Sequence, residues 1–279
     1  MKKVIMITGA GKGFGLEMAK AALQNGDEVI ATVRTDPAKL YAKLGQSSQL
    51  LVVNMDVTNE EQIHSAVSKA LQRFSKIDVL INNAGYGILT AVEEASDAEV
   101  RQQYATNVFG VLNVIRAVLP AMRRLRSGHI INITSLFGHD SVPGWTIYGS
   151  TKFAMEGISK GLAKELSPLG IYVTALAPGL FSTDFLNKSS YQAGATIIDD
   201  YETSVGPVRP VEERDGKQPG DPAKLADVTI RIAHEDQPPL HLLVGTDAIQ
   251  FYKNNAAKTK NEVDKWLDLS LSTDHDPKS

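Results

Sequence analysis

Tyr148 and Lys152 stand four positions apart in TIYGSTKFAMEG, the stretch from Thr146 to Gly157. On a helix that spacing brings a phenol and an ammonium onto one face, as an ordinary surface pair or as a proton-transfer pair. A proline and a glycine precede the stretch closely, so a helix can begin there. The pair alone decides nothing, and a second segment bears on it. TGAGKGFG, Thr8 to Gly15, directly follows the first apolar run. Glycines at 9, 13 and 15 permit a tight turn and let a pyrophosphate approach the backbone. The helix that follows would offer free N–H groups and a partial positive charge. In the order strand, turn, helix, this reads as a dinucleotide site rather than a turn that needs glycine only for its shape.

The end of the second strand bears on the kind of dinucleotide. An acid there would bind the ribose hydroxyls of NAD, and an arginine accommodates the 2′-phosphate of NADP. ATVRTD places Val33 where the acid would stand and Arg34 after it, and Lys12 adds a cation inside the glycine turn. The pattern favours NADP(H), with NAD(H) as the weaker alternative.

These groups need a frame. Short apolar runs at Val4 to Ile7, Val29 to Val33, Leu50 to Val53, Val79 to Ile81, His129 to Thr134, Ile171 to Leu176 and Leu242 to Val244 read as buried strands. Between them lie helical patterns. Leu16 to Gln24 stops at Asn25-Gly26, and Glu60 to Phe74 follows a cap at Thr58. Ser96 to Leu125 is interrupted near Asn107 and Gly110, and the Tyr148 helix ends near Leu169-Gly170. DPAKLAD starts another, with Asp221 as cap and Pro222 at the first helical position. Strands alternating with helices predict a single-domain α/β fold, a Rossmann-like doubly wound parallel sheet with ligands at the carboxyl ends of its strands. Asn187 to Gly220 breaks the rhythm and is expected to be a functional loop, a lid over substrate. The tail after Leu271 is expected to be flexible.

The 279 residues are 43% hydrophobic and 22% charged, with net charge −3 and pI near 6.1. Nothing there suggests a nucleic-acid partner. No uninterrupted apolar run approaches the ~18 residues of a membrane span. The apolar start ends at Thr8-Gly9, too early for a signal peptide. The chain has no cysteine, which excludes disulfides and thiolate metal sites and fits the cytoplasm.

Taken together, the motifs resemble those of the short-chain dehydrogenase/reductase family, and the likeness covers nearly the whole chain. Thr8-Gly9-x-x-x-Gly13-x-Gly15 is similar to that family's cofactor turn, and Asp56-Val57 in NMDVT to its adenine site. Asn82-Asn83-Ala84-Gly85 matches the motif after the fourth strand, and Asn107 the helix-interrupting asparagine. Ser135 follows the fifth strand, Tyr148-x-x-x-Lys152 comes next, and Pro178-Gly179 with Thr183 resembles the segment near the nicotinamide amide. Gly11 and Phe14 depart from the family's usual residues in the turn, and Phe14 is expected to narrow the pocket.

The resemblance implies a hydride-transfer oxidoreductase in which Tyr148 is the acid in carbonyl reduction and the base in alcohol oxidation. A free phenol titrates near ~10, too high for an efficient base at neutral pH, and the Lys152 ammonium is expected to lower it. Lys152 would also bond the nicotinamide ribose, Ser135 the substrate oxygen, and Asn107 a water continuing a proton path. No metal is required. Tyr86, Ile88, Leu136, Phe137, Val142, Trp145, Leu180, Phe181, Phe185 and Leu186 flank this site. About half are expected to be core and the rest, with Tyr86, Phe137, Trp145, Leu180 and Phe185 foremost, to line a pocket for a small hydrophobic carbonyl or alcohol. Family members often form homodimers or homotetramers through their long helices. Two other readings are a dinucleotide-sensing protein that has lost chemistry and a related epimerase or dehydratase.

Overall fold

The computed structural model describes residues 2–183, 185, 191–194 and 196–275. Seven strands form one parallel sheet: β1 (Val4–Ile7), β2 (Glu28–Val33), β3 (Leu50–Asn54), β4 (Val79–Asn82), β6 (Gly128–Ile133), β7 (Ile171–Pro178) and β9 (His241–Val244). Their order is β3-β2-β1-β4-β6-β7-β9, so the winding reverses between β1 and β4 and opens a crevice at the strands' carboxyl ends. Alternation along each strand divides the core. Ile5 and Ile7 face one layer with Val79 and Ile81, where α1 (Gly13–Gln24) packs on α7 (Pro222–Ala233). Val4 and Met6 face the other with Leu80, against α3 (Glu60–Phe74), α5 (Gly110–Leu125) and α6 (Thr146–Leu166). Both faces are covered, so the strands read as continuous apolar runs.

All seven expected strands are present. The cap of α3 is Asn59, whose side chain accepts from the Gln62 N–H, and not the expected Thr58. Thr58 instead bonds Asp56 Oδ1 through its own N–H and hydroxyl. Asp221 caps α7 by accepting from the Ala223 N–H, with Pro222 at the start. The long helix is α4 (Asp97–Tyr104), a π-helical turn at Ala105–Phe109, and α5, so the interruption falls at Asn107. Residues 97–125 are long and apolar enough to cross a membrane by length and composition, which counting uninterrupted apolar runs does not register. Half of that window is buried, and α5 sets Val111, Val114, Ile115, Val118 and Met122 against the sheet.

Other elements are absent from the sequence reading. They include α2 (Pro37–Leu44) and a two-stranded parallel ribbon of β5 (Gly87–Leu89) and β8 (Tyr191–Ala193). Within the irregular segment, short 3-10 turns run over Asp199–Tyr201, Gly206–Val208 and Val211–Arg214. Residues 187–190 and 195 of the expected lid, Leu186 of the expected pocket, and residues 276–279 of the expected flexible tail lie outside the described residues. After β9 the chain continues as α8 (Thr246–Lys265) and α9 (Leu267–Leu271).

Candidate active site

The cofactor side is built mostly from backbone. Thr8, at the end of β1, accepts at Oγ1 from the N–H groups of Asn83 and Ala84, both at 2.9 Å. Asn83 Nδ2 donates back to the carbonyls of Thr8 and Gly9. The loops after β1 and β4 are thereby stitched together through Asn83. Gly9 has φ +67° and lies so close to Ala84 that a Cβ would sit 2.9 Å from its Cα. A Cβ on Gly15 would sit 2.4 Å from the Gly9 carbonyl oxygen. Lys12 caps α1 in an extended conformation without a side-chain hydrogen bond to the first turn, whose N–H groups have no intrahelical acceptor.

A cleft of about 1020 Å³ runs from this turn across the sheet crevice. Gly9, Lys12, Gly13, Phe14, Arg34, Asp56, Val57, Asn83, Ala84 and Gly85 line its first half. Gly15 lies behind it. Pro178, Gly179 and Thr183 line it from β7 onward, and Thr183 lies over Gly13. Lys39 and Lys43 of α2 join Lys12 and Arg34 on the wall, and Lys43 Nζ donates to the Gly11 carbonyl at 2.9 Å. Sequence reasoning missed these two because α2 was not read. Its signal was present, since Asp36 caps the helix and Pro37 starts it.

The second half is aromatic. Phe137 and Trp145 stack with centroids 5.8 Å apart, and Trp145 and Phe185 at 6.2 Å. Tyr148 meets Phe137, Trp145 and Phe185 at 5.5–6.3 Å. Gly87 keeps this corner open, because a Cβ there would lie 2.9 Å from the Trp145 ring. Tyr86, Leu136, Val142, Leu180 and Phe181 also line the cleft, while Ile88 is core. Phe14 meets Phe181 edge-on at 5.4 Å and so shapes the cleft wall.

Ser135, Tyr148 and Lys152 come together where the halves meet, and all three are buried. Burial pushes the Tyr148 phenol above its ordinary value, and the hydrogen bond with Ser135 pulls the other way. That corrects the expectation that Lys152 lowers the phenol. Lys152 Nζ donates to the Ile133 carbonyl at 2.8 Å and stands over the Tyr148 ring, 5.6 Å from its centroid. Burial also pushes Lys152 down to about 8, while the charge of Glu156, one helical turn further on, holds it up. Asn107 uses Oδ1 to accept from the Tyr86 N–H and Nδ2 to donate to the Tyr86 carbonyl and Thr151 Oγ1. It reaches α6 at the residue before Lys152. Gln103, which sequence reasoning missed, is fully buried and grips the same segment through the Tyr86 carbonyl and the Ile88 N–H.

Two further glutamates are buried nearby. Glu94 accepts from Arg209 and the N–H groups of Ala91 and Ile198, tying the segment around 198–209 to the body. Glu156 lies between His139 Nε2 at 3.6 Å and His241 Nδ1 at 3.3 Å, and neither of its oxygens has a hydrogen bond.

A parallel doubly wound sheet with a glycine turn at its crevice is the arrangement in which folds of this class bind dinucleotides. The chain matches the short chain dehydrogenase family over residues 3–194 and belongs to it. It is 37% identical over 243 residues to the 3-ketodihydrosphingosine reductase of Bacteroides thetaiotaomicron, covering 87% of this chain and 88% of that one. A short-chain dehydrogenase from Streptomyces avermitilis superposes with TM-score 0.90 at 36% identity, covering 99% of this chain and 100% of that one. ElxO, solved with NADP bound, has TM-score 0.72 at 30% identity, covering 87% of this chain and 96% of that one. The protein is therefore an oxidoreductase of this family.

Proposed function

We propose that the protein interconverts a hydrophobic ketone or aldehyde and its alcohol, with NADP(H) preferred over NAD(H). The observation that carries this is the buried Tyr148–Ser135 pair at the junction of a glycine-lined groove and an aromatic pocket. The residues fit the cofactor: the start of α1 lacks a capping side chain, and its glycines leave backbone exposed to the groove. When bound, the cofactor supplies or accepts the hydride. Phe137, Trp145 and Phe185 would hold the apolar body of the substrate and exclude water. With its phenol raised by burial, Tyr148 stays protonated at neutral pH. Its Oη gives that proton to the substrate oxygen as charge develops there, while Ser135 Oγ bonds the same oxygen. Lys152 orients the ribose with its ammonium. Arg34 and Lys12, with Lys39 and Lys43 beside them, supply positive charge for a 2′-phosphate. One relative's name, 3-ketodihydrosphingosine reductase, supports ketone chemistry. The family likeness supports a homo-oligomer joined through the long helices, on which Phe109 and Phe153 are exposed.

Tyr148→Phe should keep the fold and the affinity for cofactor while lowering turnover on a carbonyl panel by ~10²–10⁴. Near-normal turnover in a folded variant would sink the mechanism, and no turnover by wild type on any carbonyl would favour a dinucleotide sensor. Arg34→Ala should lower kcat/KM for NADPH by about tenfold, one charge-assisted bond's worth, and leave NADH nearly unchanged. Equal losses for both cofactors would remove Arg34 from the phosphate site.

A further inference from the structure

The root of α8 is anchored and the rest of it leaves the body. Ala248 is buried, Phe251 meets Phe137 at 6.0 Å, Tyr252 meets His139 edge-on at 5.2 Å, and Asn255 Nδ2 donates to the His139 carbonyl. From Ala256 to His275 every residue is exposed. This arm is still patterned. Ala256, Thr259, Val263, Trp266 and Leu267 recur at three- and four-residue spacing and form one apolar-rich stripe. Val263 is 57% and Trp266 56% exposed. A helix of this length is marginal in water without a packed face.

Charge along the arm selects the occupant. Residues 250–260 carry Lys253, Lys258 and Lys260 and no acid. Residues 261–275 carry Glu262, Asp264, Asp268 and Asp274 with the single Lys265. A parallel copy would set like charge against like, and an antiparallel copy sets lysines against carboxylates. We propose that the arm pairs antiparallel with the arm of a second copy of this chain, about a twofold axis near Asn261. That register opposes Ala256 to Trp266 of the partner subunit and Thr259 to Val263 of the partner subunit, small against large. It also places Lys258 and Lys260 alongside Asp264 of the partner subunit and Glu262 of the partner subunit. The contact is isologous, as a twofold dimer requires. It is separate from the long helices and holds whatever reaction the cleft performs.

The absence of cysteine makes the test direct. Val263→Cys puts two thiols on the facing stripe, two residues from the axis and about 6 Å apart along it, near disulfide reach. Lys253→Cys, eight residues from the axis, leaves them about 24 Å apart along the helix. Under mild oxidation of dilute full-length protein, Val263→Cys should form a linked pair about tenfold faster than Lys253→Cys. Adding Trp266→Glu and Leu267→Glu should remove that advantage. Without the cysteine, the same two substitutions should halve the mass found by sedimentation and leave the thermal unfolding of the body unchanged. Lys258→Glu/Lys260→Glu chains should pair with Glu262→Lys/Asp264→Lys chains in preference to themselves. Equal cross-linking at 253 and 263, cross-linking that survives the glutamates, or an unchanged mass would overturn the proposal. So would a monomer whose arm binds phosphatidylcholine vesicles instead.

Discussion

Glu94 and Glu156 are both withdrawn from water, with side chains 0% and 4% exposed, yet they stand in opposite surroundings. Every lone-pair direction of Glu94 is used. Oε1 accepts from the Ile198 N–H at 2.9 Å and Arg209 at 2.7 Å, and Oε2 from the Ala91 N–H at 2.9 Å and Thr90 Oγ1 at 3.2 Å. The Arg209 hydrogen bond, with two backbone donors, overcomes burial and holds the carboxyl down at about 2. Glu156 has no hydrogen bond, and its neighbours are two imidazoles and, a turn away, Lys152. The difference teaches what buried charge is for. A saturated carboxylate acts on its own partners and fixes chain geometry. An unsaturated one projects its field and acts on whatever titrates nearby.

The contrast breaks most readily at the tether. Glu94→Ala leaves Arg209 uncompensated and two N–H groups unpaired, and should cost about 3 kcal/mol of stability, measured by urea unfolding. A loss below about 1 kcal/mol would mean the network contributes little. Glu94→Gln sharpens the point through pH. The folded value of about 2 lies below the ordinary 4.5, so the carboxylate's contribution is complete above about pH 5 and lost as pH falls toward 2. The stability gap between wild type and Glu94→Gln should therefore close over that range, and a pH-independent gap would contradict the charge.

Glu156→Gln should behave differently, with stability changed by less than about 1 kcal/mol because no hydrogen bond is lost. Its effect should fall on Lys152, which burial pushes down to about 8 and Glu156 holds up. Without that charge the lysine loses its proton at lower pH. The alkaline limb of kcat/KM for the cofactor, which reports groups of the free protein, should move down and cost about threefold at pH 9 with little change at pH 6.5. An unmoved limb alongside a large stability loss would make Glu156 merely structural. His139→Gln should have the smallest effect. Burial lowers the His139 imidazole below its usual value although Glu156 raises it, so it is neutral above pH 7. A change in kcat/KM of less than about twofold is expected there.

The frame was legible because it is local. β1 and most of β2 are buried apolar residues, and Asp221-Pro222 is a helix start that needs no tertiary information. The same two-residue signal at Asp36-Pro37 went unread, and with it the two lysines of α2. Tyr148, Lys152 and Ser135 were found by type and spacing, but the direction of the Tyr148 shift was not. The spacing of an ammonium is visible in a sequence, whereas the depth of burial that raises the phenol is not. Glu94 and Glu156 were invisible for a related reason. Nothing near Glu94 announces Arg209, and nothing in FAMEG announces His241. The three-residue strands of the β5–β8 ribbon have no pattern long enough to read, and their pairing spans about a third of the chain.

The π-helical turn at Ala105–Phe109 has a consequence for insertions and deletions. Such a turn holds one residue more than regular α-helix needs. It shifts the phase of α4 relative to α5, and Gln103 and Asn107 both reach Tyr86 across that shift. Deleting one residue there would let the helix run uninterrupted, better hydrogen-bonded along its axis, and would turn everything before it by about 100°. The shorter chain would have the more regular helix and would lose Gln103 from the Tyr86 carbonyl. At this point in the molecule, helix regularity and site geometry pull in opposite directions, and the surplus residue records which of them was kept.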